Sequence, residues 1–160
     1  MEYFSVECEA PGPFGPEAIL RYDDAGRYIQ DVDYLDIEFQ VWLGGDLVSK
    51  TAWYGISQPL WEHISDRVKG VSIRKMTVTP GEQVNDRHPG RKIPQFLELV
   101  VSRSVEGRED RDGCVIVRTT IPDADVFTGL GLPLIVSGHA KELLRSYGIP
   151  ESDFKKVRVI

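Results

Sequence analysis

Two stretches of this chain share one pattern of apolar and polar positions. They span residues 52–79 and 132–160. Each contains an apolar run that ends at a serine, Ser57 or Ser137, followed by a helical pattern, a glycine and a short basic–apolar run. This pattern predicts a strand–helix–strand unit that is used twice, and the alternative is chance similarity between two ordinary units of this kind.

Both predicted helices carry start and stop signals. The hydroxyls of Ser57 and Ser137 can accept hydrogen bonds from free amides of the first turn. Gly70 and Gly148 tolerate the backbone conformation that commonly ends a helix. Helices of about three turns need a sheet to pack on. The apolar faces that we expect to be buried comprise Leu60, Trp61, Ile64 and Val68 in the first helix, and Ala140, Leu143, Leu144 and Tyr147 in the second.

Alternating and apolar runs outside the helices predict strands. We expect residues 47–51 to return as the hairpin partner of residues 36–43, after a turn at Gly44–Asp46. Residues 104–113 should form the tip of a long hairpin. The predicted strands are residues 3–7, 36–43, 71–78, 96–102 and 113–119, and the predicted loops are residues 10–18 and 79–94. Strands outnumber helices, so we predict an α+β fold, a mainly antiparallel sheet with two or three short helices on one face.

Length and composition favour one ordinary globular domain. A chain of 160 residues with 41% hydrophobic and 28% charged residues predicts a single domain over residues 1–160. No apolar run approaches the length of a membrane helix, and the first residues lack the pattern of a secretory signal. Cys8 and Cys114 are the two cysteines, and we expect free thiols in a reducing cytoplasm.

The charge is unevenly distributed, because residues 1–49 carry 11 acidic and 2 basic side chains. An acidic N-terminal part could steer a basic protein partner, and the alternative is a solvated face that serves solubility. A pI near 5.1 without a basic helix argues against nucleic-acid binding. Core packing is the alternative role for the tryptophans. The residues that we predict to contact a partner are Asp23, Asp24, Asp31, Asp33 and Asp36, with Trp42 and Trp53 as aromatic anchors.

Catalytic motifs are missing from the sequence. There is no dinucleotide-binding, phosphate-binding, zinc-protease or serine-hydrolase pattern. His63, His88 and His139 are separated in sequence, and nothing in their spacing favours a dyad with either cysteine. The run from Asp31 to Asp36 resembles a fragment of a calcium loop but lacks the glycine and the distal glutamate. We therefore predict no enzyme activity, no metal and no cofactor.

The C-terminal part resembles the end of certain immunity proteins of bacterial polymorphic toxin systems. The positions that carry this resemblance are Asp125, Phe127, Val136, Ser137, Leu144, Gly148, Ile149, Phe154 and Val157. The resemblance implies an α+β protein in the cytoplasm that inhibits a cognate toxin domain by occlusion. Some of these proteins carry paired CxxC motifs, which this chain lacks. The alternative is a small ligand-binding domain or enzyme, which a deep pocket holding a carboxylate or histidine of perturbed pKa would favour.

Overall fold

The structure is a computed structural model, and it describes residues 1–82, 84 and 92–160. Most strands pair antiparallel and two α-helices accompany them in this part of the chain, which confirms the α+β prediction. The strands are β1 (Tyr3–Val6), β2 (Ile19–Tyr22), β3 (Ile29–Tyr34), β4 (Asp36–Phe39), β5 (Leu47–Lys50), β6 (Trp53–Ser57), β7 (Val71–Lys75), β8 (Thr77–Pro80), β9 (Phe96–Val101), β10 (Gly107–Asp110), β11 (Gly113–Ile116), β12 (Val126–Phe127), β13 (Ile135–Ser137), β14 (Phe154–Lys156) and β15 (Arg158–Val159). The helices are α1 (Gln58–Ile64) and α2 (Gly138–Tyr147).

The strands divide among several small sheets. The two larger sheets have the orders β12-β13-β1-β14 and β5-β6-β9-β7, and β10-β11-β15 forms a third. Strands β2 and β3 form a two-stranded antiparallel sheet, while β4 pairs with β8 in parallel. In the described residues no helix combines the length with the apolar character that crossing a bilayer takes.

The chain folds into two compact units, each assembled from separate segments. Unit 1 comprises residues 1–8, 59–72 and 100–160, and unit 2 comprises residues 9–58 and 73–99. Unit 1 has a core around Phe127, Ile135 and Ile116, and unit 2 has its own core around Phe39 and Trp42. The single domain predicted from chain length stays a prediction.

The larger sheets of the two units share a detailed hydrogen-bond pattern. In unit 2 the Ser57 amide donates to the Asp46 carbonyl at 2.8 Å, and the Ser57 hydroxyl donates to the Asp46 carboxylate at 2.6 Å. In unit 1 Ser137 makes the same two bonds to Asp125, at 2.8 and 2.6 Å. Each aspartate immediately precedes the first strand of a hairpin, and each serine ends the second strand and precedes a helix.

Strands β1 and β9, which pair with β13 and β6 in these two sheets, also occupy matching positions. Tyr3 of β1 pairs with Ser137, and Phe96 of β9 pairs with Ser57. Six residues beyond Tyr3, Glu9 forms a parallel bridge to Val48. Six residues beyond Phe96, Ser102 forms a parallel bridge to Phe127. Val48 is the second residue after Asp46, and Phe127 is the second residue after Asp125. The segments that begin at Tyr3 and at Phe96 therefore pair in the same register.

The correspondence between the two halves of the chain extends to smaller strand pairs, and the spacing between matched residues differs at one place. Ile37 pairs with Phe14 and Val78, as Ile116 pairs with Gly107 and Val159. Phe14 and Gly107 stand 93 positions apart, whereas Ile37 and Ile116 stand 79 apart. The first half of the chain therefore holds 14 additional residues between these two points, and the β2–β3 hairpin lies in this longer stretch.

Several predicted strand pairings are wrong. Residues 47–51 do not pair with residues 36–43, because β5 forms a two-residue hairpin with β6 and β4 lies beside β8. The predicted strand 36–43 ends at Phe39. The predicted long hairpin of residues 96–119 is also wrong, since β9 pairs with β6 and the antiparallel partner of β11 is β10.

The predicted loop at residues 79–94 is partly wrong and partly outside the described residues. Strand β8 extends to Pro80, and Val84 is buried in the core of unit 2. The predicted strand 71–78 divides at the buried Met76 into β7 and β8.

Both helices begin where predicted, directly after Ser57 and Ser137. The Ser137 hydroxyl accepts from the Ala140 amide at 3.1 Å, which confirms its role as a cap. Helix α1 is shorter than predicted and ends at Ile64. Its buried side chains are Leu60 and Ile64, and those of α2 are Ala140, Leu143 and Leu144.

Candidate protein-interaction surface

The β2–β3 hairpin lies within the acidic N-terminal part of the sequence and was not predicted. Val32 is fully buried, and Leu20 and Ile29 pack against the core cluster of unit 2. The register shifts twice along the pair, beside Leu20 and beside Tyr22. Such irregularities bend and twist a strand pair locally. The apolar side therefore anchors the hairpin on its unit, while most of the remaining side chains face solvent.

The turn of the hairpin is closed by its own hydrogen bonds. The Asp23 amide donates to the Tyr28 carbonyl at 2.9 Å, and the Gly26 amide donates to the Asp23 carbonyl at 2.9 Å. The Asp23 carboxylate accepts from the Arg27 amide at 2.8 Å. Gly26 has φ +66°, which glycine adopts without the steric cost of a side chain. These contacts give the turn a defined conformation.

Arg21 binds two of the predicted partner-contact residues. Its Nη2 lies 2.6 Å from the Asp31 carboxylate, and its Nε lies 2.9 Å from the Asp33 carboxylate. All three side chains are about half exposed, so solvent screens these pairs and they contribute little to stability. Asp24 is exposed and pairs with no basic side chain in the part of the chain that the structure describes. Asp24 and Asp23 are thus the carboxylates of the hairpin without an ion pair among residues 1–82, 84 and 92–160.

Large apolar side chains are exposed on the same hairpin. Tyr28 is 73% exposed, Ile19 is 57% exposed and Tyr22 is 53% exposed. Sequence analysis missed these residues because it did not predict the hairpin. The turn sequence from Asp23 to Gly26, between two short apolar–aromatic runs, is the signal that could have found it.

Three of the predicted partner-contact residues are not on the surface. Asp36 is fully buried, and its carboxylate accepts from the Thr79 hydroxyl at 2.9 Å and from the Glu17 amide at 2.8 Å. Trp42 is buried against Phe39 and Phe96, and its indole Nε1 donates to the Gly45 carbonyl. Trp53 is also buried and packs edge-on against Phe14. The prediction that these side chains face a partner is wrong, since each belongs to the interior of unit 2.

The two described histidines, His63 and His139, form hydrogen bonds within unit 1. His63 Nε2 lies 2.9 Å from the Ser146 hydroxyl, which also donates to the Leu143 carbonyl. A serine whose proton is held by a carbonyl is poorly prepared to act as a nucleophile. His139 Nε2 lies 2.8 Å from the Arg67 carbonyl. His88 lies outside the described residues.

The cysteines lie in environments that suppress the thiolate. Burial raises the pKa of the Cys8 thiol to about 12, and the nearby carboxylates of Asp153 and Glu7 add to the shift. Burial likewise raises the pKa of Cys114 to about 11, with Glu109 and Asp110 contributing. Neither environment activates a nucleophile, because a reactive cysteine needs a lowered pKa.

The carboxylates of the run Asp31–Asp36, which resembles part of a calcium loop, make other contacts. Asp31 and Asp33 bind Arg21, and Asp36 is buried elsewhere in the unit. Across residues 1–82, 84 and 92–160, no group of three or more His, Cys, Asp or Glu side chains is arranged to hold a metal ion.

No protein-family model matches the chain, and no curated protein matches it either.

Proposed function

We propose that this chain is a cytoplasmic immunity protein that binds a cognate bacterial toxin domain and inhibits it by occlusion. The observation that carries this proposal is the exposed hairpin, which combines carboxylates with large apolar side chains on a well-anchored support. Residues 19–34 hold 4 acidic and 2 basic side chains. The resemblance of the C-terminal part to immunity proteins supports the same function.

The proposed partner is a toxin domain with a basic surface. A toxin that attacks nucleic acid needs Lys and Arg side chains to hold phosphates. A negatively charged inhibitor is attracted to such a site, and opposite charges raise the association rate. Covering the site then excludes the substrate without any chemistry in the inhibitor.

We further infer that the scaffold is an internal duplication of residues 3–80 and 96–159, whose first strands have been exchanged. Strand β1 begins the first copy and joins the sheet of the second, while β9 begins the second copy and joins the sheet of the first. The matched Ser–Asp pairs and the matched bridges support this inference. The second copy then serves as an internal reference, against which the β2–β3 hairpin is an insertion. Insertions on a conserved scaffold are common carriers of function.

The proposed function is tested with the C-terminal domain encoded by the adjacent toxin gene. We expect the full chain to form a stable complex with this domain and to abolish its toxicity when the two are co-expressed. Binding is measured by calorimetry, and inhibition is measured as loss of toxin activity in the purified mixture. A chain that neither binds nor protects would refute the proposal.

A further inference from the structure

The exposed apolar surface of the described residues is concentrated on the inserted hairpin. Of the eight large hydrophobic side chains that are exposed, three lie between Ile19 and Tyr28. Two others, Met1 and Ile160, are the ends of the chain. Single exposed apolar residues are normal on a protein surface, but here two tyrosines and an isoleucine are exposed within ten residues of sequence.

These three residues lie on a hairpin that packs against the core of unit 2. The hairpin packs its other side on the core through Leu20, Ile29 and Val32. The amide of Asp23 and the carbonyl of Tyr28 join the two strands next to both tyrosines. Tyrosine has few rotatable bonds, so an ordered backbone presents its ring at a low entropic cost of binding.

Two acidic residues follow Tyr22 in sequence. Tyr22 precedes Asp23 and Asp24, and neither carboxylate is paired with a basic side chain in the described residues. An exposed aromatic face attracts a cation, and a neighbouring carboxylate strengthens the local negative potential. The combination favours Lys and Arg side chains over neutral ones.

We infer that Tyr22 and Tyr28 are the aromatic anchors of the interface, and that Lys and Arg side chains of the toxin domain stack on them. This inference rests on the proposed function and specifies the surface that performs it. The occupant is the basic surface of the toxin, because a second copy of this hairpin would bring Asp23 and Asp24 against their like-charged equivalents. Tyr22 and Tyr28 thus take the role that sequence analysis assigned to the buried tryptophans.

The test compares three variants of the full chain for binding to the toxin domain. The first is Tyr22→Ala with Tyr28→Ala, and the second is Tyr22→Phe with Tyr28→Phe, which keeps both rings. The third is Leu130→Ala, which truncates an apolar side chain that is even more exposed and lies outside the hairpin. Circular dichroism and thermal unfolding establish that each variant is folded.

We expect the double alanine variant to raise the dissociation constant at least about 30-fold, as loss of interface anchors does. The double phenylalanine variant should remain within about tenfold of wild type, since the ring provides the attraction to a cation. Leu130→Ala should bind like wild type.

The outcomes separate this inference from the proposed function. If wild type binds and the double alanine variant binds equally well, the anchors are wrong and the proposed function stands. If the phenylalanine variant is as weak as the alanine variant, the ring is not the anchoring group and the inference fails. If wild type does not bind the toxin domain at all, the proposed function fails and this inference fails with it.

Discussion

The hydroxyl of Ser137 donates a 2.6 Å hydrogen bond to the carboxylate of Asp125, and the Ser137 amide donates to the Asp125 carbonyl. The second carboxylate oxygen of Asp125 accepts from the Lys69 amide at 2.9 Å. The same Ser137 hydroxyl accepts from the first turn of α2. One buried carboxylate therefore ties a strand, a helix start and the segment that follows α1 within unit 1.

The first prediction is that Asp125→Ala lowers the free energy of unfolding by about 1–3 kcal/mol, because it leaves the Lys69 amide and the Ser137 hydroxyl without their acceptor. Asp123 offers a matched control, since its carboxylate pairs with the exposed Lys69 ammonium at the surface. Asp123→Ala should change stability by less than about 0.5 kcal/mol. Urea unfolding measures the stability of both variants. Equal losses of stability would show that the hydrogen bonds of Asp125 contribute no more than a surface ion pair.

Two leucines provide a second prediction about stability. Leu144 is 3% exposed on α2, whereas Leu130 is 98% exposed in a loop. Leu144→Ala should cost about 2–5 kcal/mol, because truncation leaves a cavity in a packed core. Leu130→Ala should cost less than about 0.5 kcal/mol. Chemical denaturation of both variants checks the assignment, and a small loss for Leu144→Ala would mean that its side chain is not packed in the core.

Local signals in the sequence were sufficient to place the first residues of both helices. Ser137 caps its helix as predicted, and the other helix begins directly after Ser57, because a helix start depends on residues within one turn. The α+β class also followed from the sequence, since alternating runs outnumber helical ones. Strand pairing could not be predicted in the same way. The partner of β4 is β8, about 40 residues later, and no local signal specifies which strand lies beside it.

Two turns explain the largest errors. Strands β5 and β6 are joined by Thr51 and Ala52, and Thr51 has φ 56° without the glycine or asparagine that usually marks such a turn. The sequence analysis instead predicted the hairpin turn at Gly44–Asp46, where the glycines are a conventional turn signal. The candidate interface was only partly predictable: Asp23 and Asp24 lie on the hairpin, but burial of Trp42 and Trp53 depends on how unit 2 packs.

The third prediction concerns the thiols. The raised pKa values of about 12 for Cys8 and about 11 for Cys114 keep both side chains protonated near neutral pH. Alkylation by iodoacetamide at pH 8 should therefore be at least about 30-fold slower in the folded protein than in urea. Mass spectrometry of the modified protein measures the two rates.

The same shifts predict a loss of stability in alkali. Between pH 9 and about pH 11 to 12 the folded protein keeps protons that the unfolded chain releases, so the free energy of unfolding falls as the pH rises through this window. Cys8→Ser with Cys114→Ser should flatten that dependence. An unchanged slope in the double variant would show that other groups cause the alkaline loss.

The last prediction addresses the charge of the hairpin. Asp36→Lys is unsuitable as a test because Asp36 is buried, whereas Asp24 and Asp33 are exposed. Asp24→Lys with Asp33→Lys should lower the association rate with the toxin domain several-fold at low salt and leave the dissociation rate within about twofold, because long-range attraction acts before the contacts form. The difference from wild type should shrink as the Debye length falls from about 30 Å at 0.01 M salt to about 8 Å at 0.15 M.

A matched control is available in the other exposed hairpin. Glu109→Lys with Asp112→Lys reverses two exposed carboxylates of the β10–β11 hairpin, at the position that lacks the insertion, and changes the net charge by the same amount. Stopped-flow measurements at several salt concentrations should give this control variant an association rate closer to wild type than that of the β2–β3 hairpin variant. If both variants lower the association rate by the same factor, with the same salt dependence, the attraction comes from the total charge of the protein. The β2–β3 hairpin then has no special part in steering.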